Sequence, residues 1–335
     1  RVRLRTDLQG RLARLRADSL VLATQSGTRL EMGIAASNLL QTDSLYLVAA
    51  IRNLTTRAAD WRGFTGGATP PPLDSLGRIH YAGQFAGFLT DFTSNGQMQT
   101  GAGEMGYNLS MQFDPGFSNA RYQGQLNVDG LALQKMLADT ANFGPLSLRT
   151  TFEGSGLEED SLEVELDSKV RSLVFRAYRY QDIQLQSRLT ASSVATTLNL
   201  EDPNLRLSLE GQFSWRDSLP ALQASGRIDT ASLRALNLYG DSLFLATSLV
   251  LDFPELSAEY PVGELTLSEL LLRNATENFQ TDSLRLEARQ GEGNRSRLRL
   301  QSGIGRAELE GRYRLSDLPR ALAGFVHRHF SLAPV

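Results

Sequence analysis

Hydrophobic and polar residues alternate one by one along most of this chain. Between positions 107 and 113, for example, Tyr107, Leu109, Met111 and Phe113 are separated by single polar residues. A period of two places every second side chain on the same face of a β-strand, so that one face is apolar and the other is polar. The pattern therefore predicts half-buried strands from one end of the chain to the other.

The same alternation recurs around positions 162–166, 205–210, 284–287 and 296–301. In the second of these stretches, Arg206, Ser208 and Glu210 take the face opposite the leucines, because side chains alternate across a pleated strand. The residues that we predict to line an apolar surface are Leu109, Met111, Phe113, Leu162, Val164, Leu166, Leu205, Leu207, Leu209, Leu284, Leu286, Leu298 and Leu300.

Short turn motifs separate the predicted strands. Residues 25–28, 201–204 and 291–294 combine Gly, Pro, Asn, Asp and Ser, which favour tight turns between antiparallel neighbours. Few long helices are available to cover the apolar face, so the sheet must curl onto itself or onto a ligand. We predict an all-β fold, an elongated antiparallel repeat sheet curled into an apolar trough, with a few short helices.

Two repeats indicate that the chain is built by iteration. The tripeptide Asp-Ser-Leu occurs seven times, where roughly 0.3 occurrences are expected by chance, and such recurrence is typical of repeated units. A longer motif around Asp129 returns 100 residues later around Asp229. Because Asp is favoured at helix N-caps, we expect short helices near 131–139 and 231–238, although two unrelated joints with the same capping chemistry would produce the same pattern.

A stretch rich in Pro and Gly interrupts the alternation at residues 64–75. Three consecutive prolines cannot sit in a central strand, so we place a loop there. Near the end, apolar residues at helical spacing predict an amphipathic helix over 316–330 that covers the end of an open core. The predicted segments are 1–63, the loop 64–75, and a continuous region 76–335 with approximate units 76–141, 142–238 and 239–335.

Composition narrows the functional classes. With 335 residues and 41% hydrophobic content the chain can bury a large core, and a net charge of −3 spread along its length makes nucleic acid an unexpected partner. The absence of cysteine excludes disulfides and Cys-based zinc sites. No stretch approaches the ~20 apolar residues of a membrane-spanning helix. The first residues already alternate and lack an initiating Met, so we expect the sequence to begin inside a fold.

One short motif matches a nucleotide-binding pattern. Gly101, Gly103 and Gly106 have the spacing of the dinucleotide-binding glycines. That motif must follow a strand and open a helix, whereas here it opens the strand predicted at 107–113. We interpret it as a turn.

The remaining candidates for chemistry are also weak. The three histidines are His80, His327 and His329, and none has the i, i+4 partner of a zinc-binding helix. The carboxylates at 158–160 and at Asp252 and Glu255 flank predicted turns, where we expect them to be solvated, whereas an acid–base pair needs one buried member. Because no set of reactive side chains converges, we expect no enzyme, no cofactor and no metal.

Several longer stretches resemble one protein family. The chain resembles the TamB-like members of the AsmA-like proteins, in the form found in Bacteroidetes-type bacteria, over nearly all of its length. The segments that carry the resemblance are 83–92, 219–229, 233–238, 279–286 and 311–322.

The resemblance implies a large envelope protein in the periplasm. Such proteins are anchored in the inner membrane by an N-terminal helix and cross the periplasm as a β-sheet folded lengthwise into a trough, often called a β-taco. Their implied partners are phospholipid acyl chains in the groove, the two membranes through parts outside this sequence, and a BamA-like outer-membrane protein. They are implicated in moving phospholipid to the outer membrane and in assembling outer-membrane proteins.

Three functions stay open at this point. A lipid conduit would hold acyl chains with roughly 0.8 kcal/mol per buried methylene group. A factor for outer-membrane protein assembly would bind clients by strand addition at an exposed sheet edge. A structural β-solenoid would have a closed, dry core at normal packing density.

Overall fold

A computed structural model describes residues 2–11, 13–41, 44–57, 60, 75–158, 160–215, 219–257, 260–291 and 295–312. The chain divides into two compact units, residues 1–191 (unit 1) and 192–335 (unit 2). Each unit is described by itself.

Unit 1 is an antiparallel β-meander with little helix. It includes the short helix α1 (Leu133–Met136) and a 3-10 turn at Pro115–Phe117. The strands are β1 (Val2–Thr6), β2 (Gln9–Arg11), β3 (Arg14–Thr24), β4 (Arg29–Ser37), β5 (Tyr46–Arg57), β6 (Arg78–Phe88), β7 (Asp91–Thr100), β8 (Gly103–Phe113), β9 (Ala120–Ala132), β10 (Phe143–Ser155), β11 (Glu163–Phe175) and β12 (Tyr178–Thr190).

From β3 to β12, each strand pairs antiparallel with the next strand along the chain. The exception is at the start, where β1 and β2 both pair with different parts of β3. The predicted pairing of successive strands as antiparallel neighbours is therefore confirmed in unit 1.

Unit 2 repeats this arrangement. Its strands, each paired antiparallel with the next, are β13 (Ser193–Asp202), β14 (Leu205–Ser214), β15 (Ala221–Ser232), β16 (Phe244–Glu255), β17 (Val262–Arg273), β18 (Asn278–Gly291), β19 (Arg295–Ser302) and β20 (Gly305–Gly311). The all-β class is confirmed in both units, while the predicted curl into a trough stays a prediction.

Strand register aligns mainly apolar residues into rows that cross each sheet. In unit 1, one row joins ten strands, β3 to β12, through Leu22, Leu30, Leu54, Tyr81, Met98, Met105, Val128, Leu148, Val170 and Ile183. In unit 2, one row joins eight strands through Thr196, Gly211, Ala224, Leu251, Leu265, Leu286, Leu300 and Ala307. Residues in register on adjacent strands point to the same side of a sheet.

The apolar faces are only partly covered. Among the described residues, fifteen hydrophobic side chains are buried, and six of these are alanines. Most large side chains on the two faces are half-buried. Because a closed core of normal density would bury its large residues fully, the described part of each unit presents a sheet face rather than a sealed interior.

Two predictions about helices are wrong. Residues 233–237 form a turn rather than a helix. The Leu236 N–H donates to the Ser232 carbonyl with helical spacing, but Asn237 takes a left-handed φ of 57° and the Leu238 N–H reaches back five residues to the Leu233 carbonyl, so no regular helix continues. Asp129 and Asp229 are not N-caps, since both lie inside strands. The helix near 131–139 does exist, but it is four residues long and has no side-chain cap.

The Asp-Ser-Leu repeats have a local role where they are described. At 160–162 and 241–243 the tripeptide comes directly before a strand, and at 18–20 and 282–284 it lies inside one. The predicted helix 316–330 with His327 and His329, and residues 64–74 of the predicted loop, lie outside the described residues. The predicted segment boundaries stay predictions.

Candidate functional site: the apolar sheet faces

The predicted lining residues of unit 1 lie on one face. Met111 on β8 is in register with Tyr122, Gly154 and then Val164 on β11. In the adjacent row, Leu109 reaches Leu166 through Gly124 and Phe152. Phe113 continues the same face of β8, and Leu162 lies one residue before β11. The structure thus brings together two strands whose leucines are more than 50 positions apart in sequence.

The predicted lining residues of unit 2 also share a face. Leu207 and Leu209 are opposite Leu200 and Leu198 on β13, while Arg206, Ser208 and Glu210 are exposed on the other side. Leu205, at the end of the same strand, is opposite Asp202 and Ala231.

Strands β18 to β20 continue the apolar face of unit 2. Leu284 is in register with Leu267, and Leu286 with both Leu265 and Leu300. Leu298 is in register with Ala288 and Leu309. The alternation predicted for these strands is confirmed, whereas a role for their leucines in binding stays a prediction.

Sequence reasoning missed the aromatic residues that cover glycines. A Cβ atom added to Gly96 would lie 2.6 Å from the Tyr81 ring, and one added to Gly154 would lie 2.7 Å from the Tyr122 ring. Gly124 has the same relation to Phe152 at 2.7 Å. Each ring therefore lies across a glycine of a neighbouring strand, an arrangement that compensates for the missing side chain. The signal in the sequence was glycine at apolar positions of an alternating strand.

A chain of hydroxyl groups crosses the apolar face of unit 1. The Ser94 hydroxyl donates to the Gln84 carbonyl at 3.2 Å, so the Tyr107 hydroxyl donates to Ser94 at 3.0 Å, and the Tyr81 hydroxyl donates to Tyr107 at 2.7 Å. Each of the three hydrogens thus has an acceptor within the protein. Burial and the Tyr107 hydroxyl raise the pKa of Tyr81 well above its usual range, which keeps the phenol neutral.

Other hydroxyls on these faces are satisfied in the same way. Ser168 donates to the Thr150 hydroxyl at 2.8 Å, which donates to the Thr151 carbonyl at 3.2 Å. In unit 2, the buried Thr247 donates to the Ser268 carbonyl at 3.0 Å. An apolar ligand can cover such groups without leaving a donor unpaired, which would otherwise cost about 1–3 kcal/mol.

The opposite faces are polar, and that of unit 2 is charged. In unit 2, Arg299 contacts Glu287 at 3.6 Å and Glu308 at 3.4 Å, and Arg297 continues this ladder to Glu310 at 2.9 Å. The hydrogen bond that the Arg297 guanidinium donates to the Glu310 carboxylate raises the pKa of Arg297 above its ordinary value. Charges in register on one side and leucines on the other make the unit 2 sheet strongly two-faced.

One rim of the unit 1 sheet is closed. Leu76, Ala102, Val128, Leu131 and Ala132 form a buried cluster at the strand ends, with α1 packed against it. Backbone hydrogen bonds tie its parts together: the Ala132 N–H donates to the Ala102 carbonyl at 2.6 Å, and the Gly101 N–H donates to the Leu76 carbonyl at 2.8 Å. We call this edge the closed rim.

The structure places several of the residues that were considered for chemistry. Gly101 lies in the turn before β8, which confirms the turn interpretation of the glycine motif. The exposed His80 contacts the Thr55 hydroxyl at 3.1 Å, and Asp252, placed inside β16 rather than at a turn, accepts from Gln223 at 3.2 Å. Across the described ranges, no group of three or more His, Asp or Glu residues is placed to hold a metal ion.

The fold and its surface define a class: open antiparallel sheets with one apolar and one polar face. Comparison of the chain with protein-family models, with curated proteins and with solved structures finds no match. In the described segments, no helix has the length and hydrophobicity to cross a membrane. Membership of the AsmA-like family therefore stays a prediction from the resemblance.

Proposed function

We propose that the apolar faces carry the acyl chains of phospholipids, in a periplasmic envelope protein that transfers lipid between the inner and outer membranes. The observation that carries this proposal is the row of mainly apolar residues across ten strands of unit 1 and eight strands of unit 2, most of them half-buried. An acyl chain gains roughly 0.8 kcal/mol per buried methylene group on such a surface, with little dependence on its structure.

Two other functions have less support. A dry structural solenoid would bury large side chains, whereas Leu236 and Thr56 are the largest fully buried side chains among the described residues. An assembly factor would offer a free strand edge to a client. Among the described strands β20 pairs only with β19, and its exposed Arg306, Glu308 and Glu310 place charges along the strand, which discourages pairing with a further strand.

The test compares Leu207→Asp with Ser208→Asp, which differ by one residue and lie on opposite faces of β14. A carboxylate on the apolar face is strongly disfavoured among acyl chains, so Leu207→Asp should lower the lipid retained by the purified chain several-fold, as measured by mass spectrometry. Ser208→Asp should retain the wild-type amount.

Photocrosslinking gives an independent measurement. A photoreactive residue at position 209 should crosslink to phospholipid, and one at position 208 should not. Equal lipid retention by the two Asp variants, or crosslinking from 208 and none from 209, would refute the proposal.

A further inference from the structure

The turn between β8 and β9 exposes an aromatic residue at the rim opposite the closed rim. Phe117 is 57% exposed, and its backbone has a left-handed φ of 59°, which is unfavourable for a bulky side chain. Non-glycine residues held in this region are frequent at functional sites. We call the turn at residues 113–120 the open rim.

A line of phenylalanine rings leads from the open rim onto the apolar face. The ring centroids of Phe117 and Phe113 are 5.1 Å apart, those of Phe113 and Phe92 are 6.5 Å apart, and those of Phe92 and Phe85 are 4.8 Å apart. Phe113, Phe92 and Phe85 are half-buried and lie on the apolar face of three successive strands, whereas Phe117 is exposed.

The surroundings of Phe117 extend the apolar rim. The Gly156 N–H donates to the Ala120 carbonyl at 2.9 Å, which holds the turn between β10 and β11 beside the open rim. Leu157 in that neighbouring turn is 58% exposed. Arg121 and Asp114, which flank Phe117 in the sequence, form an ion pair at 2.9 Å. Their charges cancel, so this pair adds no net charge to the open rim.

We propose that the open rim is where one acyl chain of a diacyl phospholipid passes onto the apolar face of unit 1. This inference rests on the proposed lipid function. The line of rings from Phe117 to Phe85 is close in length to one acyl chain. An acyl chain spans about 15 Å, because two opposed chains make up a hydrocarbon core of ~30 Å. An aromatic side chain at the outer end suits the boundary between headgroup and acyl chain.

The closed rim cannot admit an acyl chain in this way, because α1 and the hydrogen-bonded backbone of the buried cluster occupy the strand ends there. Lys135 of α1 adds a hydrogen bond to the Gly101 carbonyl at 2.9 Å. Leu137, which follows α1, is 55% exposed and offers a matched control, since its exposure is close to that of Phe117 but it is not an aromatic residue and takes no part in the line of rings.

The experiment measures transfer of a pyrene-labelled phospholipid from phosphatidylcholine vesicles to the purified chain. The rate of transfer and the final amount of bound lipid are recorded separately for Phe117→Asp and Leu137→Asp. We expect Phe117→Asp to slow transfer roughly tenfold, the effect of losing contact with about two methylene groups during passage. The final amount should not change, and Leu137→Asp should behave as wild type in both measurements.

Phe117→Gly separates this role from a purely structural one. Glycine accepts the left-handed backbone without strain, so the thermal midpoint should stay the same or rise while transfer slows as in Phe117→Asp. Equal transfer rates for Phe117→Asp and Leu137→Asp, or wild-type transfer by Phe117→Gly, would overturn the proposed access point and leave the lipid function intact. A wild-type chain that takes up no lipid at any rate would instead overturn the lipid function itself.

Discussion

The two units build the same kind of apolar face from different side chains. Unit 1 uses aromatic rings, glycines and methionines, and all five methionines of the chain lie in it. Unit 2 uses leucine at most of the corresponding positions, as in the row from Leu251 through Leu265 and Leu286 to Leu300. Strand register is enough to make a continuous face in both cases, so continuity does not depend on one type of residue.

The charged faces differ as well. Unit 2 carries a ladder of arginines and glutamates from β17 to β20, centred on Arg297 and Arg299. In unit 1 the corresponding side chains of β7 to β9 are mainly amides, such as Asn95, Asn108 and Gln125. Amides do not respond to ionic strength as ion pairs do, so the two units should differ in their response to salt.

The difference in side chains has a mechanical consequence. In unit 1 the covering rings would lie only 2.6–2.7 Å from a Cβ atom added to the glycine, which leaves no room for a methyl group, whereas the nearest neighbours of a Cβ added to Gly211 of unit 2 would lie at 3.1 Å. Gly226 and Gly263 are exceptions in unit 2, because Leu209 covers the first and the Phe253 ring lies 2.8 Å from a Cβ atom added to the second. Replacing a glycine by alanine should therefore destabilise unit 1 more than unit 2.

The largest expected change in the free energy of unfolding comes from adding a methyl group to a covered glycine. Gly124→Ala in unit 1 would force the added carbon against the Phe152 ring at 2.7 Å and, even closer, against the Asn108 carbonyl oxygen. We expect it to lower the free energy of unfolding by about 1–3 kcal/mol, measured by urea unfolding. Gly211→Ala, on the apolar face of unit 2, should cost less than about 1 kcal/mol. A larger loss from Gly211→Ala would reverse the comparison.

A smaller effect is expected in the hydroxyl chain of unit 1. Tyr107→Phe removes the middle hydroxyl and leaves the Tyr81 hydroxyl without its acceptor, which should cost about 1–2 kcal/mol of unfolding free energy. Tyr81→Phe removes only the first donor and should cost less, about 0.5 kcal/mol. If the two variants unfold at the same urea concentration, the hydroxyls do not act as a directed chain.

The smallest effect is expected on the charged face of unit 2. Arg299→Gln removes the cation shared by Glu287 and Glu308 and should cost about 0.5 kcal/mol or less, because the pairs are partly exposed. The loss should shrink in concentrated salt, where surface charges are screened. Arg149→Gln on the polar face of unit 1, whose guanidinium donates to the neutral Asn127 side chain at 2.7 Å, should show no such salt dependence.

Much of the fold could be predicted because period-two alternation is a local property. Leu205 to Leu209 had to share a face once they formed a strand, and the short turn at 201–204 had to join antiparallel neighbours. The helices were harder to predict. Asp129 and Asp229 suit an N-cap by their chemistry, yet the strands continue past them, and Asp129 instead accepts from Ser147 at 3.0 Å while Asp229 accepts from Arg227 at 2.9 Å.

The sequence by itself determined the class of fold and which residues lie on each side of a strand, because both follow from the two-residue repeat of the β-strand. Only the tertiary structure decided which strands share a row, which rings cover which glycines, and which rim is closed. These features depend on the register between strands and on contacts such as those of Phe117, Phe113 and Phe92. A row across many strands depends on the register at every turn in succession and on the bulges that shift it, as between Ala17 and Leu20 or between Ile51 and Leu54, and the alternation within one strand does not specify these shifts.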